Sequence, residues 1–351
     1  MNASPNPMVG AVIVVNGRII GEGYHIRCGE GHAEVNAFAS VKKEDESLLK
    51  EATMYVSLEP CSHYGKTPPC ADLIIRKGVK RVVVGCEDPF AEVRGRGIQK
   101  LKDAGIEVVV GVCKEECEEL NKVFFTFHRL KRPFITLKWA ESKDGFIAKI
   151  DSKGVPQPTL ISTKQTRIHC HKLRAEHQAI LVGRTTLETD NPSLTTRYWK
   201  GKDPIRIVLT HNAPDKHLNI FNDETSTLVM SGPLAEVLQE LHTKGIQSVL
   251  VEGGRNVLQQ FIDQQIWDEA YIEKGELLIG EGVKAPMIPA LSDNHLSTTF
   301  FFGRRIVKIA HFIPYDLCLK VQKKHPLSGI WGLKEQKKHL KNIKSLLYTS
   351  L

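Results

Sequence analysis

Short β-branched runs recur along the chain with helical segments between them, and this alternation restricts its architecture more than any other feature. Residues 11–15 read AVIVV, 52–58 ATMYVSL, 81–88 RVVVGCED and 106–112 IEVVVGV. Between them lie HAEVNAFASV, CADLIIRKG and GIQKLKDAG, the last two ending on Gly78 and Gly105, and they read as helices. The GRIIGEGYH stretch after the first run predicts a hairpin. Strands alternating with helices call for a largely parallel sheet in an α/β layer fold. A second series opens near Arg132 and Pro133 with FITLKWA, AILVG, IRIVLT and SVLVEGG. Its helices are ISTKQTRIHCHKLRAE, N-capped by Ser162 or Thr163, and PLAEVLQELHTKG. At ~100–200 residues per domain, 351 residues suggest two. The expected division is residues 1–130, residues 131–322 and an appended tail, 323–351.

The formal net charge of +8 raises the question of a nucleic-acid partner. Its distribution argues against one. From Lys320 onward eight lysines stand against Glu335 alone, so +7 of the +8 sits at the end of the chain. The body is nearly neutral, and the basic tail is expected to be flexible. Leu340, Ile343 and Leu347 nevertheless fall at helical spacing within it. No run of about 18 apolar residues marks a membrane span, and the first residues lack the pattern of a secretory signal. Eight scattered cysteines fit a reducing cytoplasm better than a disulfide framework. A homo-oligomer is compatible with these features.

Chemistry concentrates in His32-Ala33-Glu34, Pro60-Cys61 and Pro69-Cys70. Two thiolates and an imidazole suit zinc, with the fourth tetrahedral position left for water. Zinc brings hydroxide within reach near neutral pH. Glu34, not itself a ligand, then takes the water's proton and passes it to a leaving amine. That is the logic of zinc nucleobase deaminases. Cys70 also begins a helix, where the positive end of the dipole favours thiolate. His25, His63, His169, Cys170 and His171 are further candidate ligands, but the IHCH run lies within one helix, so its side chains point in different directions. It reads as a surface or core feature.

The cysteines are spaced C-x8-C, within CSHYGKTPPC. Together with ASPNPMVGAVIV, GEGYH and GHAEV, this closely resembles the bifunctional deaminase–reductases of riboflavin biosynthesis, to about residue 322. LKWAESKDG, GRTTLETDNPSLTTR and VEGGRNVLQQF extend the resemblance through the second half. It implies a cytidine-deaminase-like three-layer domain followed by a dihydrofolate-reductase-like α/β domain. It implies zinc on His32, Cys61 and Cys70, Glu34 as proton shuttle, and substrate contacts from Asn6, His63 and Lys66. In the reductase half it implies substrate contacts from Lys138, Arg174, Asp190, Leu194, Arg197 and Glu252. Ala140, Thr186, Gly253 and Gly254 would hold NADPH. The substrate implied is a small phosphorylated pyrimidine, deaminated first and then reduced at the ribosyl group. Arginine forks suit its phosphate, and Gly253-Gly254 before a helix offers free N–H groups to those of the cofactor.

The chain departs from the family at three places. Leu160 stands where Trp is frequent and Asn191 where a second Asp is common. The family helix that precedes the S-P-N-P loop has no counterpart here, and its loss is expected to leave one face of the first sheet bare and the chain poorly stable. Two rival readings are weaker. The C-x8-C insert and the second half disfavour a nucleic-acid or nucleoside deaminase. A structural zinc protein is disfavoured because such sites usually have four protein ligands.

Overall fold

The computed structural model describes residues 5–64, 68–90, 94–221, 225–289, 294–301 and 304–311, together with 338, 339 and 343. The chain divides into two units, Met1–Leu130 with Lys323–Leu351, and Lys131–Gln322. The first unit runs β1 (Gly10–Val15), β2 (Arg18–Tyr24), α1 (Ala33–Ala39), β3 (Thr53–Leu58), α2 (Cys70–Lys77), β4 (Arg81–Cys86), α3 (Arg96–Asp103), β5 (Glu107–Val110), α4 (Lys114–Leu120) and α5 (Lys122–Leu130). Its sheet has the order β2-β1-β3-β4-β5. The predicted hairpin makes β1 antiparallel to β2, β1 is antiparallel to β3, and the remaining pairs are parallel.

Every residue of β1 is buried, as expected of a strand covered on both faces. On the inner side Ala11, Ile13, Met54, Val56, Val82 and Val84 pack against Ala33, Ala37, Ala71, Ile74 and Leu101 of α1, α2 and α3. Helix α1 lies so close to β2 that a Cβ on Gly23 would overlap the backbone of Asn36 and Ala37. This close approach fixes the start of α1, where His32 and Glu34 sit. On the outer side Val12, Val14, Tyr55, Val83 and Leu120 cluster with Ile343. The sequence placed Ile343 in a flexible tail and left part of this face bare. Instead Val12, Val14 and Tyr55 are buried, and so are His339 and Ile343. His339 and Ile343 are four residues apart, the spacing that puts two residues on one helix face.

The second unit runs β6 (Phe134–Glu141), β7 (Phe146–Ile150), β8 (Pro156–Gln157), α6 (Lys164–Glu176), β9 (Ala179–Gly183), α7 (Arg184–Asp190), β10 (Ile205–Leu209), β11 (Thr227–Met230), α8 (Leu234–Thr243), β12 (Ser248–Val251), α9 (Arg255–Asp263), β13 (Glu269–Lys274), β14 (Gly282–Lys284), β15 (Asn294–Phe301) and β16 (Arg304–His311). Its main sheet has the order β11-β10-β9-β12-β6-β13-β16-β15. The pairs from β11 to β13 are parallel, and the β15–β16 hairpin joins antiparallel at the β13 edge. A small sheet, β14-β7-β8, stands apart from it. Ile135, Leu137, Val249 and Val251 pack against α8 and α9 on one face. Ile180, Val182, Val208 and Leu250 pack against Leu173 and Leu187 on the other. Arg132 donates to both carboxylate oxygens of Asp268 at 2.6 and 2.8 Å, and the Ile135 N–H donates to the same group at 2.7 Å, which anchors the start of β6 beside β13.

Candidate metal centre and reductase cleft

In the first unit three elements deliver one donor each. His32 is the N-cap of α1, Cys61 follows β3, and Cys70 is the first residue of α2. The His32 Nδ1 lies 3.5 Å from the Cys61 Sγ and 3.3 Å from the Cys70 Sγ. All three donor atoms lie within 4.8 Å of one another. A tetrahedral zinc with bonds of ~2.3 Å to sulfur and ~2.0–2.1 Å to nitrogen would separate S and N by about 3.6 Å. The donor set therefore fits that ion. The Cys70 thiol hydrogen bond and that of His32 push Cys61 down to about 4 despite its burial, while the same bond to Cys61 and burial push Cys70 up. The Cys70 N–H also donates to the Cys61 sulfur at 3.3 Å, which favours its thiolate form. The hydrogen bond with Cys61 raises His32 against the opposing effect of burial.

Glu34 sits in the first turn of α1 and is only 3% exposed. Burial, and next the charge of Cys61, raise its carboxyl to about 7. A carboxyl poised there both accepts and returns a proton at neutral pH. Asn6 donates its Nδ2 to His25 Nε2 at 3.1 Å, and His25 Nδ1 meets the Gly31 carbonyl at 3.1 Å. Since a carbonyl only accepts, His25 carries its proton on Nδ1 and accepts from Asn6 on Nε2. His25 is therefore no ligand; its two nitrogens hold Asn6 against the Gly31 turn. His63, two residues after Cys61, is exposed, and Lys66 lies outside the described residues. Sequence reasoning missed Asp88, whose carboxyl is lifted to about 6 by burial and by Glu59, within reach of the charges on His63 and Cys61. Glu59 is buried and accepts from the N–H groups of Gly97 and Ile98 at the start of α3.

In the second unit a cleft of about 540 Å³ opens at the carboxyl ends of β6, β9 and β12. Such crevices are where parallel α/β sheets bind ligands. Lys138, Ala140, Arg174, Thr186, Asp190, Arg197, Glu252, Gly253 and Gly254 all line it. Leu194 does not; its side chain is buried in the core beside Leu187, and its backbone is left-handed at φ 51°. Arg174 Nε and Nη2 donate to the two oxygens of Glu252 at 3.0 and 2.7 Å, and Nη1 donates to the Thr195 carbonyl at 3.0 Å. The Arg174 fork expected for phosphate is thus engaged internally. Burial alone would lift Glu252, but Arg174 and Lys138 pull it down to about 2. Burial opposes the charge on Lys138, yet Cys170, Glu252 and Glu273 hold its ammonium above the ordinary value.

Gly253 and Gly254 differ from expectation in detail. A Cβ on Gly253 would come within 2.6 Å of the Gly183 nitrogen and 2.7 Å of Val182 Cα, so strand packing requires this glycine. The Gly254 N–H donates to Thr186 Oγ1 at 2.6 Å and is not free for phosphate in this state. The IHCH run is no plain surface or core feature either. Cys170 and His171 line the cleft with Arg167, because positions 167, 170, 171 and 174 share one face of α6. Cys170 donates to Glu252 Oε1 at 3.2 Å. Burial, Arg174 and Arg197 push His171 down to about 4, and its ring meets Tyr198 edge-on at 4.7 Å. His171 Nδ1 and Arg167 Nε are buried without a hydrogen-bond partner among the described residues. Leu160, at the family's Trp position, lies on the rim of the cleft and is exposed.

An imidazole and two cysteines around a buried carboxylate, with a reductase-type cleft in a second α/β unit, define a two-domain enzyme of the zinc-deaminase and pyridine-nucleotide-reductase classes. The family profile described as the cytidine and deoxycytidylate deaminase zinc-binding region matches residues 1–86. That of the RibD C-terminal domain matches residues 133–299. The riboflavin biosynthesis protein RibD of Aquifex aeolicus is 40% identical over 304 residues, covering 80% of this chain and 83% of that protein. RibD of Bacillus amyloliquefaciens is 40% identical over 315 residues, covering 81% and 82%. The crystal structure of a diaminohydroxyphosphoribosylaminopyrimidine deaminase/5-amino-6-(5-phosphoribosylamino)uracil reductase from Thermotoga maritima superposes with a TM-score of 0.77 at 35% identity, covering 89% and 94%. The chain belongs to the RibD family of bifunctional riboflavin-biosynthesis deaminase–reductases, whose two cofactors are zinc and NADPH.

Proposed function

We propose that the chain carries out two consecutive reactions on one phosphorylated pyrimidine. The first replaces the C2 amine of 2,5-diamino-6-ribosylamino-4(3H)-pyrimidinone 5′-phosphate by oxygen and releases ammonia. The second opens and reduces the ribosyl C1′ to ribityl, giving 5-amino-6-ribitylamino-uracil 5′-phosphate. The observation that carries this reading is the convergence of His32, Cys61 and Cys70 beside the buried Glu34. Zinc on those three residues supplies the Lewis acidity that makes water a competent nucleophile near neutral pH. Glu34 takes the proton of the attacking water and returns it to the departing nitrogen, which its position near 7 suits. In this reading Asn6, hydrogen-bonded to His25, and the exposed His63 meet the pyrimidine and its phosphate.

In the cleft NADPH supplies the hydride. In this reading the Lys138 ammonium, which lines the cleft and is kept charged by Cys170, Glu252 and Glu273 against burial, protonates the sugar ring oxygen as the ring opens. Arg174 is engaged with Glu252, whereas Arg167 and Arg197, which also line the cleft, have donors to offer a phosphate monoester. No helix among the described residues is long and apolar enough to cross a membrane. The near-neutral body fits a small-molecule substrate better than a nucleic acid. The test is incubation of the protein with the diaminopyrimidine, with and without NADPH, followed by mass analysis. Without NADPH the product carries oxygen in place of nitrogen and ammonia appears; with NADPH it gains two hydrogens. Absence of ammonia from zinc-loaded protein would defeat the proposal.

A further inference from the structure

Among the described residues neither site draws on the chain after residue 322, yet two of the three residues described there are buried. Residues 338, 339 and 343 are helical, with Lys338 exposed. His339 is 4% and Ile343 1% exposed. Four residues apart, they share one helix face. Ile343 joins Val12 and Val14 of β1, Tyr55 of β3 and Val83 of β4, and the His339 ring lies 5.2 Å from that of Tyr55. The alternate residues of the same strands face the helices that carry Glu34 and Cys70 and that begin at His32. Any element that holds the outer face therefore supports the strands against which the metal-bearing helices pack.

We propose that the C-terminal segment is the occupant of this outer face, and that the zinc centre depends on it while the reductase cleft does not. The first unit is then built from segments on either side of the second in sequence. The sequence fits this occupant. His339, Leu340, Ile343 and Leu347 form an apolar stripe, and Lys337, Lys338, Lys341 and Lys344 surround it, the pattern of a helix with one buried and one solvated side. The strands offer that stripe Val12, Val14 and Tyr55, which are 1%, 6% and 7% exposed. Bare, these side chains would form the kind of contiguous apolar patch that soluble monomers rarely show.

The placement is tested on the full-length holoenzyme with a photo-reactive benzophenone amino acid at position 343. Cross-links within one chain to peptides containing residues 12–14, 55 or 83 are expected. Cross-links to a second copy, to residues 131–322, or none at all would overturn the placement. The dependence is tested with Ile343→Asp and the conservative Ile343→Val. The first is expected to lower the melting transition of the zinc-bearing unit by about 10 °C and to reduce zinc per chain, while NADPH oxidation with the deaminated intermediate stays at the wild-type rate. Ile343→Val is expected to melt close to the wild type. A transition moved by less than about 1 °C and full zinc content in Ile343→Asp would overturn the dependence. So would equal loss of both activities.

Discussion

Replacing Arg174 by methionine tests how the reductase cleft is held. The guanidinium meets both oxygens of Glu252 at 3.0 and 2.7 Å, and the two side chains are 12% and 10% exposed. Burial alone would raise Glu252; Arg174 first, with Lys138 and Cys170, brings it from the ordinary 4.5 to about 2. That is two to three powers of ten in the protonation equilibrium, each ~1.4 kcal/mol, so these partners together favour the charged carboxylate by about 3 kcal/mol, with Arg174 the largest contributor. Breaking a buried pair by removing one partner commonly costs ~3–5 kcal/mol. For a domain of this size the expected drop is about 10 °C in the melting transition of the second unit at pH 7. The sign with pH follows from the lowered carboxyl. Because the folded value lies below the unfolded one, the stabilisation is complete above about pH 5 and is lost as the pH falls toward 2. Calorimetric melts of wild type and Arg174→Met between pH 7 and pH 3 should therefore converge on acidification. A difference that stays constant across this window, or no difference at pH 7, would refute the electrostatic role given to Arg174.

Glu34→Gln should retain zinc and lose ammonia release by roughly 10²–10⁴-fold; metal analysis showing zinc loss would make Glu34 structural instead. Arg197→Ala should raise KM for the pyrimidine by roughly 10–100-fold, as expected for a lost charged hydrogen bond, with a smaller change for NADPH. Steady-state kinetics showing the reverse order would move Arg197 to the cofactor side. Gly253→Ala places a methyl group 2.6 Å from the Gly183 nitrogen. A loss of about 1–3 kcal/mol in denaturant melts is expected, and unchanged stability would show that β9 and β12 have room to separate.

The parts of the fold that were legible in the sequence share one physical basis. AVIVV, RVVVG and AILVG are buried on both sides and so read as unbroken apolar runs, and each became a strand. Thr163 rather than Ser162 caps α6, through a reciprocal bond with Thr166 that the sequence alone did not single out. The metal centre was legible because His32, Cys61 and Cys70 are rare residue types beside prolines and a carboxylate, a combination that packing does not ask for. The cleft wall was not. Arg167, Cys170 and His171 fall on the face of α6 that meets the ligand side, and helical spacing alone does not say whether a face meets core, solvent or cleft. The pairing of Arg174 with Glu252 joins residues 78 apart, which no local pattern encodes. The small β14-β7-β8 sheet joins two short strands in a Gly- and Pro-containing stretch, residues 141–158, to β14 at residues 282–284, a distant pairing that no local pattern encodes. Leu340, Ile343 and Leu347 showed helical spacing, but the lysines around them argued for a solvated tail, whereas Ile343 is buried.

X-ray absorption at the zinc edge of the purified holoprotein most directly tests the claim on which the account rests. Cys61, Cys70 and His32 as ligands predict two sulfurs at ~2.3 Å with one nitrogen and one further light atom at ~2.0–2.1 Å. The sulfur count should fall to one in Cys61→Ser and in Cys70→Ser. A shell of four sulfurs, a shell without sulfur, or a spectrum unchanged in both variants would contradict it.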